Sequence, residues 1–167
     1  DGVGELAGDG FLSDEVAAVA GAATFRPVTP WARMAFEVRH RWPDGAFSVG
    51  IPTWFYGHEP PNPFATQIAK YFQNSIREAT LVRRSTAGIV FLPGAAGTVQ
   101  EIFQDACENY YAAAGAVAPM VLVGADHWTR EIPAWPLLQQ LAAGREMAGA
   151  IHLVDSPADA VRLLHAG

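Results

Sequence analysis

The apolar residues change their period several times along the chain, and each change marks an element. Between Pro30 and Pro43, Trp31, Met34, Ala35 and Val38 recur at i, i+3, i+4, i+7 spacing, which predicts a helix with one apolar face. Phe47 to Ile51, "FSVGI", reads as a strand that Pro52 ends. "PTWFYGHEPPNP" carries four prolines and a glycine, so it is a loop. "FATQIAKYFQNSIREATLVRRS" then shows an amphipathic pattern through Ile68, Phe72, Ile76 and Leu81, which predicts one long helix. Beyond it, "AGIVFLP" is a near-continuous apolar run of strand length, and "TVQEIFQDACENYYAAAG" reads as a helix ending in Gly115. "APMVLVG" and "AIHLVDS" are two more apolar strands. Upstream, "SDEVAAVAGAA" reads as a short helix with Ser13 as its N-cap and acids in its first turn, preceded by a Gly- and Asp-rich stretch, residues 1–13, expected to be mobile.

Strands alternate with helices, and the strands are apolar throughout rather than polar at every second residue. That combination predicts an α/β fold: a doubly wound, Rossmann-like parallel sheet with helices on both faces, in a single domain over 1–167. Ligands in such sheets bind beyond the carboxyl ends of the strands. Four strands are counted, and the chain opens in a loose Gly-rich stretch where such a domain has its first strand, turn and helix. The expectation is that the amino-terminal βαβ is absent from this chain, either removed or supplied by another chain.

Composition narrows the function classes. A chain of 167 residues, 50% hydrophobic and 17% charged, suits a globular domain with a core. With 11 Lys+Arg against 17 Asp+Glu and a formal net charge of -6, there is no basic field to hold a nucleic-acid polymer. The one Cys, Cys107, cannot form an intramolecular disulfide and fits a reducing compartment, so a cytoplasmic protein is expected. No apolar run approaches the roughly 18 residues that span a bilayer, and the first residues lack the basic start and apolar core of a signal peptide; no membrane role is expected.

The candidate chemistry lies in "FLPGAAGTVQE", Phe91 to Glu101, where a buried strand turns into a helix through Pro93, Gly94 and Gly97. Gly94 and Gly97 permit positive φ and close approach of a ligand, and a helix starting at Thr98 offers free N–H groups to an anion. Glu101, three residues after Thr98, stands at a capping-box position on the first turn and can also face whatever the loop holds. The loop is neither a dinucleotide fingerprint nor a P-loop. On spacing alone, glycines placed for packing and glycines placed for a phosphate explain it equally well.

Pro93-Gly94-Ala95-Ala96-Gly97-Thr98-Val99-Gln100-Glu101 resembles the PGGxGTxxE motif of the LOG ("lonely guy") family, cytokinin riboside 5'-monophosphate phosphoribohydrolases long labelled lysine decarboxylases. The resemblance runs from about residue 46 to 167: "VGIP", a helix carrying an Arg, strand, motif, helix, "PMVLV" and a terminal "DSPADAVRLL" helix follow that family's order. Arg77, in "NSIREATL", falls on the catalytic Arg of the family's Arg-Lys motif, and Glu101 on its catalytic Glu. Ala95 departs from the second Gly and Glu78 from the Lys, which places the chain with the wider nucleotide-hydrolase superfamily more securely than with cytokinin activation. The long Pro-rich insert "PTWFYGHEPPNPFATQIAKYF" is similar to that of larger bacterial relatives, among them pyrimidine/purine nucleotide 5'-monophosphate nucleosidases.

The resemblance implies hydrolysis of the N-glycosidic bond of a nucleoside 5'-monophosphate to free base and ribose 5-phosphate, with no cofactor. Glu101 is then the carboxylate that stabilises an oxocarbenium-like sugar, and Gly94, Ala95, Ala96, Gly97 and Thr98 hold the phosphate. Arg77 either grips the phosphate or orients Glu101 or the base. The resemblance and the aromatic-rich helices together imply a homodimer. Two other readings compete: a noncatalytic module binding a nucleotide or molybdenum cofactor through the same loop, and a structural fragment with an incomplete site.

Other conspicuous residues have plainer readings. His58 and Glu59 are adjacent and cannot chelate as an H-E-x-x-H pair does, so no metal site is expected; they shape a loop, with Glu59 a possible sugar-pocket residue. Trp54, Phe55 and Tyr56 either stack a base or cover the sheet edge. Arg83 and Arg84 suit a helix C-terminus as solvated charges, with phosphate capture the alternative. Cys107, one turn past Phe103 on an apolar stripe, reads as core, and Tyr110 and Tyr111 as packing or interface residues.

Overall fold

The computed structural model describes residues 30–53 and 62–166. The chain divides into two compact units between Gln73 and Asn74. The expected helix at residues 13–23, the aromatic residues Trp54 to Tyr56, and His58 and Glu59 lie outside the described residues.

The first unit contains helix α1 (Pro30–Arg41) and two short parallel strands, β1 (Val49–Gly50) and β2 (Gln67–Ile68), with Val49 opposite Gln67 and Gly50 opposite Ile68. Helix α1 forms where the apolar spacing predicts it, although of its apolar stripe Ala35 is buried while Met34 and Val38 are exposed. The Thr66 hydroxyl ties the two strands together: it donates to Ser48 O at 2.7 Å and accepts from Ser48 N at 2.9 Å. The strand expected over Phe47–Ile51 is thus shorter than its pattern.

The long helix expected from Phe64 onward does not exist as one element. Gln67 and Ile68 pair as β2, and helix α2 begins only at Asn74 and runs to Arg84. Ile68, Phe72 and Ile76, the residues that made the pattern, are all at least half exposed, whereas α2 buries Arg77, Glu78 and Val82. The polar run Gln73-Asn74-Ser75 holds the signal for the break, since Asn and Ser are favoured helix starters.

The second unit is a three-stranded parallel sheet in the order β3-β4-β5, formed by β3 (Ile89–Phe91), β4 (Met120–Val123) and β5 (Ile151–Val154). Ile89, Val90 and Phe91 stand opposite Met120, Val121 and Leu122, and Met120 to Val123 stand opposite Ile151 to Val154. The three apolar runs become strands as expected, and their parallel order follows from helical crossovers between them. Helix α3 (Ala96–Tyr110) lies between β3 and β4. A π-helical turn (His127–Glu131), helix α4 (Ala134–Ala142), a 3-10 turn (Glu146–Gly149) and β5 follow, and helix α5 (Pro157–Ala166) ends the described chain. Helix α4 is absent from the sequence reading, although Pro133 and Pro136 flank its first turn, where proline is tolerated.

Strand β4 is buried at every residue, and its alternate side chains serve two cores. Met120 and Leu122 pack with Phe91, Ile102 and Ala106 of α3, Leu138 of α4, and Trp128; Val121 and Val123 pack with Ala160, Leu163 and Leu164 of α5. Helices therefore cover both faces, the α/β Rossmann-like arrangement expected. Burial of each large side chain in these cores is worth about 1.5–3 kcal/mol. Trp128 is wholly buried and satisfies its indole N–H on Val123 O at 2.9 Å. No helix among the described residues is long and apolar enough to cross a membrane.

Helix α3 corrects two expectations. It ends at Tyr110, with Tyr111 as its C-cap, rather than running to Gly115. Its buried face is Ile102, Asp105, Ala106 and Asn109, one position away from the Phe103–Cys107 stripe, and Cys107 is exposed. Two polar residues on the buried face hid that stripe in the pattern. Asn109 is satisfied by both sides of Ala118, donating to its O at 3.1 Å and accepting from its N at 2.9 Å. Asp105 is 4% exposed and its Oδ2 has no hydrogen-bond partner.

Burial, with a smaller contribution from the charge of Glu108, pushes the Asp105 carboxyl up from 3.8 to about 7. A carboxyl raised by folding opposes folding only when it must ionise, so its penalty is absent below the unfolded value and grows as pH rises towards the folded one. Asp105→Asn is expected to be more stable than the parent by about 2–4 kcal/mol at pH 8 and to match it near pH 4. Urea unfolding at a series of pH values checks this, and parallel pH profiles for the two proteins would exclude the burial account.

Candidate active site

Arg77 and Glu101 meet where α2 packs on α3. Arg77 follows the exposed Ile76 by one helical position, which turns its side chain onto the buried face of α2. A buried guanidinium needs a partner. Its Nη1 donates to Glu101 Oε1 at 3.0 Å, with side-chain exposures of 10% and 29%. This is a charge-assisted hydrogen bond between residues that the sequence separates by 24 positions.

The neighbouring positions form a second bridge between the same helices. Glu78 is buried, and its Oε2 accepts a hydrogen bond from Gln100 Nε2. Burial raises the Glu78 carboxyl above its ordinary value, the charge of Glu101 adds to that, and the charge of Arg77 partly opposes it. Glu78 entered the sequence reading only as a departure from an Arg-Lys pair. The structure shows that Gln100, immediately before Glu101, answers it across the helix pair.

Below this cluster lies the loop between β3 and α3. Ala95 is the N-cap of α3 without any side-chain cap, and the first turn closes with Val99 N on Ala95 O at 3.0 Å. The N–H groups of Ala96, Gly97 and Thr98 thus fall among those that no intrahelical carbonyl can serve. Thr98 is the third residue of the helix rather than its start, so Glu101 lies in the second turn and is not a capping-box residue. That leaves its carboxylate for Arg77.

Neither Gly94 nor Gly97 has the positive φ anticipated for it. What Gly94 supplies is room: a Cβ there would stand 2.2 Å from Thr98 Oγ1 and 2.8 Å from Thr98 Cβ. At Gly97, by contrast, a Cβ would meet nothing within 4 Å among the described residues, so their packing does not demand glycine there. The open side of Gly97 is space beside the helix N-terminus.

A cleft of about 390 Å³, within the range of small-ligand sites, runs along the whole of β3, an edge strand of the three-stranded sheet, from Ser85 and Ile89 to Pro93. Arg77, Glu101, Thr98 and Pro93 line it, with Val82 and Phe91 supplying apolar wall. The structure thereby brings together Arg77, Glu101 and the Thr98 end of the loop in one cleft along β3. Arg83 stays solvated, 74% exposed and 3.8 Å from Glu108, as its place at a helix end suggested.

The far side of the loop rests on a residue that no motif singled out. His127, in the π-helical turn, places Nδ1 2.7 Å from Glu131 Oε2, and its Nε2 lies 2.9 Å from Gly94 O and 3.3 Å from Gly94 N. Three residues before the turn, Gly124 has a φ of 97°, and a Cβ there would stand 3.2 Å from the Pro93 ring. π-helical turns recur at functional sites. A His four residues before a Glu, just beyond an apolar strand, was the only trace of this pair in the sequence.

A search of curated proteins finds no match. A protein-family model described as "Possible lysine decarboxylase" matches residues 32–164, which span the cleft, the Gly94–Thr98 loop, Arg77 and Glu101. The chain belongs to this family, the LOG family.

Proposed function

We propose that the chain hydrolyses the N-glycosidic bond of a nucleoside 5'-monophosphate. The observation that carries this reading is the Arg77–Glu101 pair on the wall of a cleft that ends at the uncapped start of α3. The 5'-phosphate fits the N–H groups and dipole of that helix start, with the open side of Gly97 as its seat. The ribose then extends towards Glu101. As the bond from C1' to the base nitrogen breaks, positive charge develops on the sugar, and a fixed carboxylate stabilises it more than it stabilises the neutral ground state. Water adds its oxygen to C1', and the base leaves with the bonding electron pair and takes up a proton. Arg77 holds Glu101 by one Nη1 contact and keeps its orientation when the cleft is filled.

The family's printed description names a decarboxylation. Pyridoxal-dependent decarboxylation uses a lysine Schiff base, and among the described residues the cleft lining includes no lysine. A noncatalytic nucleotide-binding module is the second reading, favoured by one observation: Glu78 buries a further acidic group beside Arg77, where the family motif has Lys. Incubation with AMP, CMP and isopentenyladenosine monophosphate, followed by chromatography of free base, separates the two. Binding without base release in all three selects the module.

Glu101→Gln is expected to keep the fold and nucleotide affinity while losing about 100-fold or more in kcat, because the lost charge acts chiefly in the transition state. Unchanged kcat would remove Glu101 from the mechanism. Arg77→Lys keeps a charge but not the planar fork, so it is expected to lose activity, and because the Arg77–Glu101 pair is buried it is expected to lower Tm as well. Wild-type AMP affinity and turnover in Arg77→Lys would place the site elsewhere.

Gly97→Val separates the fold from the ligand. Val and Gly differ little as helix formers at a solvent-facing first turn, and nothing within 4 Å opposes the added Cβ, so Tm should shift by no more than a few degrees. AMP binding measured by calorimetry should fall below detection, because the branched side chain occupies the phosphate's place. Retained affinity would show that the phosphate sits away from Gly97.

A further inference from the structure

The His127 ring has two partners on opposite sides, and only one nitrogen has a choice to make. Nδ1 faces the Glu131 carboxylate at 2.7 Å, an acceptor, so Nδ1 carries a proton in either charge state of the ring. Nε2 faces both ends of one residue: Gly94 O at 2.9 Å and Gly94 N at 3.3 Å. When the ring is neutral, Nε2 is a bare lone pair and accepts the Gly94 N–H. When the ring is protonated, Nε2–H donates to Gly94 O, and the Gly94 N–H has no acceptor on His127.

We infer that His127 is a positioning residue that governs whether the Gly94 N–H is held by the protein or released to a bound anion. The inference rests on the proposed nucleotide reading only for the identity of that anion, a 5'-phosphate. Pro93, the residue before Gly94, lines the cleft, so the peptide that His127 controls borders the proposed site. A protonated ring also adds a positive charge behind the loop.

The surroundings favour the protonated ring. The hydrogen bond to Glu131 raises the His127 ring above its ordinary value, the Gly94 backbone contact adds to this, partial burial opposes it, and the Glu131 charge raises it further. On the same turn Asp126 and Arg130 pair with each other and are largely exposed, and Asp155 after β5 accepts from Ala125 N at 2.9 Å through its Oδ1. Trp128 stands edge-on at 4.6 Å. From α2 and α3 come Arg77 and Glu101, which line the cleft together with Pro93, and residues Ala96 to Gln100 of α3 carry no charge. Glu131 is 63% exposed, so it can be replaced without emptying a core.

The test is an NMR pH titration of the full chain, following the His127 ring nitrogens and the Gly94 amide, first without ligand and then with saturating AMP. In the free protein the Gly94 amide is expected to titrate with the midpoint of His127. His127→Asn should remove that titration, and Glu131→Gln should keep the two coupled at a lower midpoint. AMP is expected to raise the His127 midpoint; a rise of one pH unit corresponds to about tenfold tighter binding to the protonated form. A Gly94 amide that stays flat while His127 titrates overturns the inference, whether or not AMP binds. A coupled Gly94 amide with no response to AMP upholds the switch and removes the nucleotide reading instead. An AMP complex in which the His127 midpoint is unmoved overturns the anion half of the inference.

Discussion

A strand buried on both faces requires covering from two sides, and β4 is such a strand. Its four residues alternate between one core built with α3, α4 and Trp128 and another built with α5. Neither core can form until crossovers have placed helices on both sides, and in a parallel sheet each crossover leaves its strand at the carboxyl end. The loop from β3 into α3 therefore lies where the sheet stops shielding the chain. The uncapped helix start and the turn that carries His127 are gathered at that end as a consequence of the covering.

The polar groups buried on α2 and α3 run against the usual economy of packing. Arg77 and Glu78 of α2 and Asp105 of α3 are all buried, and aliphatic residues in their places would be at least as stable, because desolvating ions costs more than a typical pair returns. Arg77 and Glu101 offset part of that cost through a charge-assisted bond, and Glu78 does so through Gln100. Asp105 has no such compensation at Oδ2. A set of buried polar groups that stability alone would not select, beside a cleft, is the arrangement expected where side chains are held for chemistry.

The loop shows how one glycine-rich turn can satisfy several demands with different glycines. Gly94 makes room for Thr98 against the chain itself, Gly97 leaves space on the outside, and Gly124, on a separate strand end, takes the left-handed conformation that lets the His127 turn support Pro93 and Gly94. The conformational freedom first credited to the motif glycines is thus exercised outside the motif.

Much of this protein was legible in its order of residues. The runs at Ile89–Phe91, Met120–Val123 and Ile151–Val154 are apolar at nearly every position, a pattern that suits strands of a covered parallel sheet, so strand identity and parallel order followed from local pattern, although only Met120–Val123 is buried throughout. Arg77 and Glu101 were singled out through the resemblance to the family's motifs, and the structure sets them 3.0 Å apart. The break before Asn74, the buried face of α3 and the Glu78–Gln100 bridge were not. Periodicity reports how often apolar residues return; it does not say which face a neighbouring helix will cover, and polar residues such as Asp105 and Asn109 on the covered face erase the stripe altogether. The His127–Gly94 contact joins residues 33 positions apart, and Arg77–Glu101 spans 24. Local order decides what each segment can become; only the closing of the sheet decides which distant side chains must share one space, because burial and hydrogen bonding are settled between elements rather than within them.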